Sequence, residues 1–206
     1  MSKIPDVPAV RVIDDDEAVR DSLAFLLDSA ELPVRTYGSG LAFLEVAGDI
    51  RGGCVLTDIR MPDIDGLALQ RRLAEQKIAL PVIVMTGHAD VPIAVQALKA
   101  GAVDFIVKPF DDAVLLTAVR RAMEISAQAR AHADELSELS RKLATLTPRE
   151  REVLVALVAG NPNKAIANEL GTSPRTIEVH RARVMEKMGS RSLSELVRMA
   201  LRLGVA

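Results

Sequence analysis

The sequence predicts a doubly wound α/β fold with a five-stranded parallel sheet in its N-terminal part, followed by a helical linker and an all-helical unit. Over about the first 125 residues, short apolar runs rich in Val and Ile alternate with helix-length stretches. This pattern is typical of strands buried on both faces of a parallel sheet. From about residue 145 only helical spacing remains. We therefore expect three segments: residues 1–125, 126–144 and 145–206.

The N-terminal segment contains five apolar runs, and a helix pattern follows each of them. After the first run, Val19, Leu23, Leu26 and Leu27 recur at helical spacing, and Gly101 is placed to end the fourth helix. Strict alternation of strands and helices predicts a doubly wound sheet. The predicted strands are 10–13, 34–37, 54–57, 82–85 and 103–107. Three of the predicted helices cover residues 17–30, 41–47 and 92–99. A further helix contains Leu67, Leu69 and Leu73, and the last starts near Asp111.

Residues 124–144 change to Ala, Glu, Arg and Ser with few apolar side chains. Leu136, Leu139, Leu143 and Leu146 recur at heptad spacing. Two interpretations stay open, a solvated helical linker and a dimer-forming extension of the preceding helix.

The C-terminal segment contains four predicted helices. Thr147, Pro148 and Glu150 form a helix start with an N-cap, a proline at the first position and a capping box. The other helices are predicted over 164–170, from Ser173-Pro174 to about Met188, and over 193–203. The two that are joined through residues 171–174 form a helix-turn-helix.

Composition limits the class of protein. The net charge of −2 divides unevenly, because residues 145–206 carry ten Lys/Arg against six Asp/Glu, whereas the remainder is acidic. A basic segment of this kind suggests a nucleic-acid partner. A single cysteine excludes an internal disulfide and a cysteine-rich metal site. No apolar run has the length of a membrane span and no signal peptide is evident, so we expect a cytoplasmic protein without a membrane partner.

Polar residues follow four of the predicted strands directly: Asp14 and Asp15, Asp58, Thr86, and Lys108. The carboxyl ends of parallel strands share one crevice, so these side chains should converge. Clustered carboxylates suit Mg²⁺. One carboxylate could then accept a phosphoryl group, with the lysine and the hydroxyl bonding its oxygens. The sequence thus predicts a magnesium-dependent phosphoryl-transfer site.

Four short motifs around these polar residues, between residues 12 and 110, resemble the receiver domain of two-component response regulators over about residues 8–125. The resemblance implies a flavodoxin-like sheet with strand order 2-1-3-4-5. It implies that Asp58 is the phosphoacceptor, and that Asp14, Asp15, Asp58 and the backbone carbonyl of Arg60 bind Mg²⁺. The matching motifs are Val12-Ile13-Asp14-Asp15-Asp16, Thr57-Asp58-Ile59-Arg60-Met61-Pro62, Met85-Thr86-Gly87-His88 and Val107-Lys108-Pro109-Phe110.

The same resemblance assigns further roles. Thr86 and Phe105 are similar to the coupled switch pair of the family, and Lys108 to the counter-ion of the phosphate. The Lys108–Pro109 bond is expected to be cis. Asp16 is interpreted as a helix N-cap rather than a metal ligand.

The C-terminal segment contains three further motifs, Leu146–Leu154, Asn163–Ala167 and Pro174–His180. They resemble the LuxR-type helix-turn-helix, so the whole chain resembles a NarL/FixJ-type response regulator, and the receiver motifs favour the FixJ group. By comparison with that family, Glu178, Val179 and Ala182 should face base edges in the major groove. Basic and polar neighbours should contact phosphates. The predicted phosphate contacts are Lys164, Arg175, Thr176, His180, Arg183 and Lys187.

We therefore predict a phosphorylation-activated transcription factor rather than an enzyme. A sensor histidine kinase would transfer phosphate to Asp58, and the phosphorylated chain would form a homodimer and bind double-stranded promoter DNA. Two alternatives stay open. One is a Mg²⁺-dependent phosphohydrolase that works through an aspartyl intermediate, and the other is a constitutive DNA-binding protein whose N-terminal domain serves only for dimerisation.

Overall fold

The computed structural model describes residues 7–87 and 91–205. The described chain divides between Arg130 and Ala131 into two compact units. His88, in the predicted loop after Thr86, lies outside the described residues. The division into segments 1–125, 126–144 and 145–206 stays a prediction.

The first unit has the predicted five-stranded parallel sheet, and its order β2-β1-β3-β4-β5 confirms the expected topology. The strands are β1 (Ala9–Ile13), β2 (Val34–Tyr37), β3 (Gly53–Asp58), β4 (Val82–Thr86) and β5 (Asp104–Val107). The helices are α1 (Glu17–Ser29), α2 (Gly40–Ala47), α3 (Gly66–Glu75), α4 (Val91–Lys99) and α5 (Asp112–Ala144).

Two apolar cores lie on the two faces of this sheet. Alternation along β3 sends Cys54 and Leu56 to one face and Val55 to the other, as the two-residue period of a strand requires. The first core includes side chains of α1 and α5, and the second includes side chains of α2, α3 and α4. Both faces are therefore covered, which explains why apolar residues predominate in β1, β3 and β4 without alternating with polar ones.

Cys54 is the cysteine of β3 and is completely buried. Burial raises the pKa of its thiol to about 12, against a smaller lowering effect of the Arg11 charge. The thiol is therefore neutral and inaccessible in the folded chain, as expected for a core cysteine.

Arg11 of β1 was not singled out from the sequence, yet its side chain is completely buried. Its Nη1 donates to the carbonyl oxygens of Ala9 at 3.0 Å and Gly52 at 2.7 Å. The adjacent Gly53 has φ +101°, and a Cβ there would lie 2.0 Å from the Ala9 oxygen. The Ser126 hydroxyl of α5 accepts a hydrogen bond from the Gly53 N–H at 3.0 Å. The amino-terminal edge of β1 and β3 is thus fixed by polar contacts.

The second unit is helical and contains α6 (Pro148–Val158), α7 (Asn163–Glu169), α8 (Pro174–Met188) and α9 (Leu193–Arg202), together with the last part of α5. Thr147 and Glu150 form the predicted capping box. Ser173 caps α8, which ends at Gly189 in the left-handed conformation. The predicted buried side of α8 is also confirmed, because Ile177, Val184 and Met188 are fully buried.

The leucine repeat at the end of α5 contributes to packing within the second unit. Leu139 and Leu146 are buried, and Leu143 packs against the core of this unit. Glu135 forms an ion pair with Arg202 of α9. Leu143 and Leu146 of this repeat therefore pack within the second unit, and dimerisation through the repeat stays a prediction.

None of the helices in the described ranges is both long and apolar enough to cross a membrane.

Candidate functional site

The carboxyl ends of β1, β3, β4 and β5 bring the predicted polar residues together. Asp14 follows β1, Asp58 ends β3, Thr86 ends β4 and Lys108 follows β5. The strands are in register, with Asp58 opposite Met85 and Thr86 opposite Val107. Four of the expected side chains are therefore carried to the same edge of the sheet by the strand pairing alone.

Lys108 connects two of the carboxylates. Its Nζ lies 2.8 Å from Oδ2 of Asp14 and 2.8 Å from Oδ1 of Asp58. The side chains of Asp14 and Asp58 are only 3% and 12% exposed, whereas that of Lys108 is 24% exposed. Burial by itself would lower the pKa of Lys108, but the hydrogen bonds and charges of Asp14 and Asp58 outweigh it and raise this pKa. The ammonium therefore stays charged between the two carboxylates.

The other oxygens of these carboxylates bond to backbone groups. Oδ1 of Asp14 accepts the N–H of Asp16 at 3.0 Å, and Oδ2 of Asp58 accepts the N–H of Arg60 at 2.6 Å. Asp16 itself caps α1 by accepting the N–H of Ala18 at 2.9 Å, which confirms its predicted role. Asp14 and Asp58 are thereby fixed in orientation before any ligand arrives.

Thr86 and Lys108 also share a backbone bond, since the Lys108 N–H donates to the Thr86 carbonyl at 2.7 Å. The Thr86 side chain is buried. Phe105 lies in β5 opposite Val84, half-buried, and packs against the second core of the sheet. The Lys108–Pro109 bond is cis, as predicted. The switching role of Thr86 and Phe105 stays a prediction.

The donor set can be compared with the needs of Mg²⁺. Among the described residues, no group of three or more His, Cys, Asp or Glu side chains is gathered as a metal site. Asp15 is exposed. Asp14 and Asp58 already bind one cationic group between them, and Mg²⁺ in proteins usually takes one or two carboxylates together with water and phosphate oxygens. This pair of oxygen donors fits Mg²⁺ chemically.

Gly66 was not singled out from the sequence, although it begins α3 directly against the end of β3. Its N–H donates to the Ile59 carbonyl at 3.0 Å. A Cβ at this position would lie 2.4 Å from the backbone oxygen of Asp58. Only glycine lets α3 start this close to the Asp58 peptide.

The predicted nucleic-acid residues lie on α8, with the exception of Lys164 on α7. Arg175, Glu178, Val179 and Ala182 are exposed. Arg175 lies three and four residues before Glu178 and Val179, and Ala182 lies four and three residues after them, so the four share one face of α8. That face lies opposite the buried side of the helix. Arg183 and Lys164 are exposed as well, whereas Thr176, His180 and Lys187 are half-buried.

Two of the half-buried residues make internal contacts. The Thr176 and Ser173 hydroxyls are 2.9 Å apart at the start of α8. Lys187 donates to the carboxylate of Glu150 at 2.6 Å and to the carbonyl of Thr145 at 3.2 Å. Glu150 is buried, and its other contact is the N–H of Thr147 at 2.8 Å. Lys187 therefore ties the end of α8 to the start of α6, a contact that the sequence did not predict.

Both units match known protein families. Residues 10–120 match the family described as response regulator receiver domain, and residues 144–200 match the family described as bacterial regulatory proteins, luxR family. Together these two regions take up most of the chain.

Several relatives match this chain over nearly its whole length. The transcriptional regulatory protein FixJ of Rhizobium meliloti is 54% identical over 192 residues, which cover 93% of this chain and 94% of that protein. FixJ of Azorhizobium caulinodans is 53% identical over 203 residues, covering 98% and 96%. Among solved structures, the response regulator StyR has a TM-score of 0.86 at 38% identity and covers 95% of this chain and 98% of its own. Full-length FixJ from B. japonicum has a TM-score of 0.59 at 47% identity, covering 97% and 98%.

Substituting Gly66 by Ala tests the close approach of α3 to the Asp58 peptide. We expect Gly66→Ala to lower the free energy of unfolding by about 1–3 kcal/mol, because the new methyl group must displace backbone. Gly48→Ala is the matched control: Gly48 has an ordinary φ of −65° and no atom within 4 Å of the added methyl. Urea denaturation measures both, and equal stability of the two variants would contradict the proposed steric limit.

The Lys187–Glu150 pair predicts a pH dependence of stability. The Lys187 hydrogen bond, followed by the Thr147 N–H, lowers the pKa of Glu150 from 4.5 to about 2. Because the folded-state pKa is the lower one, the contribution of Glu150 is complete above about pH 4.5 and is lost as the pH falls towards 2. Glu150→Gln should therefore be less stable than the wild type at neutral pH, with a difference that shrinks on acidification.

Urea denaturation followed by circular dichroism, repeated from neutral to acidic pH, measures this difference. Glu152→Gln is the control, since Glu152 lies on the same helix in an exposed pair with Arg149 and such pairs contribute little. A Glu150→Gln deficit that is independent of pH would rule out the ion pair as its source.

Proposed function

Because the chain belongs to the FixJ-like group of NarL/FixJ response regulators, we propose that reversible phosphorylation of Asp58 controls its binding to DNA. This family consists of transcription factors rather than enzymes, and each chain joins a receiver domain to a LuxR-type DNA-binding domain. In this proposal the only covalent chemistry of the protein is its own phosphorylation and dephosphorylation. A sensor histidine kinase is the donor, and the protein works in the cytoplasm.

One observation carries the proposal, namely that the Lys108 ammonium lies 2.8 Å from both Asp14 and Asp58 at the edge of the sheet. An oxygen of Asp58 attacks the phosphorus of a phosphohistidine, so that an O–P bond forms and the N–P bond breaks. Lys108 neutralises the dianion that results, and it does so without moving far because it already bonds Asp58. The Thr86 hydroxyl, at the end of the neighbouring strand, bonds one of the new phosphate oxygens.

Mg²⁺, when bound, would neutralise negative charge on the phosphoryl group as it is transferred to Asp58. Asp14, Asp15, Asp58 and the backbone carbonyl of Arg60 are the proposed ligands. Asp14 and Asp58 are already oriented by the N–H groups of Asp16 and Arg60. Release of Lys108 from Asp14 would free one carboxylate oxygen for the ion.

A groove of about 560 Å³ borders this site and gives a partner protein access to it. It runs along α1 and is lined by Val19, Leu23 and Leu26 on one side and by Lys108 and Phe110 on the other. Phe25, on the rim, is 77% exposed. A kinase surface that fills this apolar groove would lie beside the Lys108 ammonium.

The proposed response is dimerisation of the receiver through α4 and β5. Val91, Val95, Leu98 and Val107 are exposed on these two elements, an apolar surface of the kind that marks an interface. Movement of Thr86 onto the phosphoryl group would make room for Phe105, whose half-buried ring belongs to the same β5 strand. Phosphorylation then favours the dimer only through the contacts that it adds in that state.

The exposed face of α8 is the proposed DNA-reading surface. Val179 is 47% exposed on the same face as Arg175 and Glu178, and an apolar side chain there suits the methyl group of thymine. Glu178 accepts from a cytosine amino group. Arg175, Arg183 and Lys164 contact phosphates and set the register, and Thr176 and His180 would do so from the flank of the helix. Lys187 would reach a phosphate only by leaving Glu150.

The phosphoacceptor is tested with acetyl phosphate, which donates its phosphoryl group and leaves as acetate. With Mg²⁺, we expect mass spectrometry to show one phosphoryl group on each wild-type chain, and sedimentation to show a dimer. Asp58→Asn should show neither, because an amide does not attack phosphorus. Asp63→Asn, an exposed aspartate of the turn before α3, is the control and should behave as the wild type.

DNA affinity is measured in parallel on a duplex selected from a random pool with phosphorylated protein. Tighter binding after phosphorylation supports the switch. Unchanged affinity and dimerisation in Asp58→Asn would instead support a constitutive DNA-binding protein, and continuous release of phosphate from phosphate esters would support a phosphohydrolase.

Salt dependence separates phosphate contacts on α8 from internal ones. Arg183→Ala should lower the slope of log affinity against log salt concentration by about one, because one fewer counter-ion is released. Lys187→Met should leave the slope closer to the wild-type value and lower the stability of the second unit, because Lys187 pairs with Glu150. A full unit of slope lost in Lys187→Met would show that this lysine leaves Glu150 to bind DNA.

A further inference from the structure

Arg20 of α1 reaches back to the turn that carries the acidic pair. Its Nη1 donates to the backbone oxygen of Asp14 at 2.8 Å and to that of Asp15 at 3.0 Å. The guanidinium also lies against Gly38, 3.6 Å from the position that a Cβ would take there. One side chain thus spans α1, the turn after β1 and the end of β2.

The two aspartates of this turn differ in how they are held. The Asp14 carboxylate is fixed by the Asp16 N–H and by Lys108. The Asp15 carboxylate is exposed and, within the described ranges, makes no hydrogen bond or ion pair. What fixes the Asp15 residue is its peptide oxygen, bound to Arg20. The direction of the Asp15 carboxylate therefore depends on the hydrogen bond between Arg20 and the Asp15 backbone oxygen.

We propose that Arg20 is a positioning residue for the magnesium site, because it holds the Asp14 and Asp15 peptides in the conformation that presents Asp15 to the ion. The inference rests on the proposed function, in which Asp15 is a ligand. Groups that orient metal ligands without touching the ion commonly change metal affinity by about 10–100-fold when removed.

The geometry requires arginine rather than any cation. One nitrogen of the planar guanidinium donates two hydrogens to two successive carbonyl oxygens, a fixed arrangement that the flexible ammonium of lysine does not reproduce. Arg20→Lys should therefore retain the charge and lose part of the positioning.

The charge of Arg20, taken alone, predicts the opposite change in Mg²⁺ affinity. A guanidinium close to a cation site repels the cation, so its removal by Arg20→Met would strengthen Mg²⁺ binding if electrostatics were its only effect. Positioning predicts that Arg20→Met weakens binding. The direction of the change thus separates the two accounts.

Isothermal titration calorimetry of the full chain with MgCl₂ measures the effect directly, and urea denaturation in EDTA checks the fold of each variant. We expect the Kd for Mg²⁺ to rise by about 10-fold or more in Arg20→Met, with Arg20→Lys in between. Arg71→Met, which removes an exposed arginine on α3, should leave the Kd unchanged. If Arg20→Met does not fold, Arg20→Lys carries the comparison alone.

A Kd in Arg20→Met or Arg20→Lys that equals or falls below the wild-type value overturns the inference. Wild-type protein titrated with MgCl₂ and beryllofluoride shows where the failure lies. If the wild type takes up both and the Arg20 variants match it, the positioning role alone is wrong. If the wild type takes up neither, the proposed function fails and the inference fails with it.

Discussion

The first unit depends on one positive charge placed between two nearly buried negative ones. Asp14 and Asp58 stand at the ends of β1 and β3, and without a cation between them their repulsion would oppose the pairing of those strands. Lys108 supplies that cation from the end of β5. A buried ion pair of this kind is costly to break by removing one partner. The electrostatics that complete the fold are therefore the same ones that prepare the site for a divalent ion and a phosphoryl group.

Close backbone packing supports this arrangement from several sides. Gly66 lets α3 begin against the Asp58 peptide, Asp16 both caps α1 and donates its N–H to Asp14, and Arg20 binds the two carbonyls of the turn. Gly66 and Arg20 fix main chain, and the Asp16 N–H holds one carboxylate oxygen of Asp14. The backbone around the site is thus held in place, whereas the carboxylate oxygens can exchange the Lys108 ammonium for a metal ion.

The sequence predicted the parts of this protein that depend on local pattern. The five strands, the helix caps at Asp16 and Thr147 and the buried side of α8 were all expected, because apolar period and capping residues are read over a few positions. The order of the strands was expected from the family resemblance instead. Contacts between distant residues were missed. Arg11 lies in a predicted strand, and only the fold brings the Gly52 carbonyl to it. The phosphate contact of Lys187 stays a prediction, whereas its bond to Glu150, 37 positions away, was not predicted. The leucine repeat at 136–146 left a solvated linker and a dimer seam both open, because the sequence does not show that Leu143 and Leu146 pack in the core of their own unit.

The burial of Cys54 has a practical consequence for studying the switch. The chain contains no other cysteine, and this thiol is enclosed and neutral. A cysteine introduced on the surface of either unit would therefore be the sole reactive site for a maleimide dye or a nitroxide spin label, with no native residue to replace first. Pairs of such labels would report the separation of the two units in the wild-type background, before and after a phosphodonor is added.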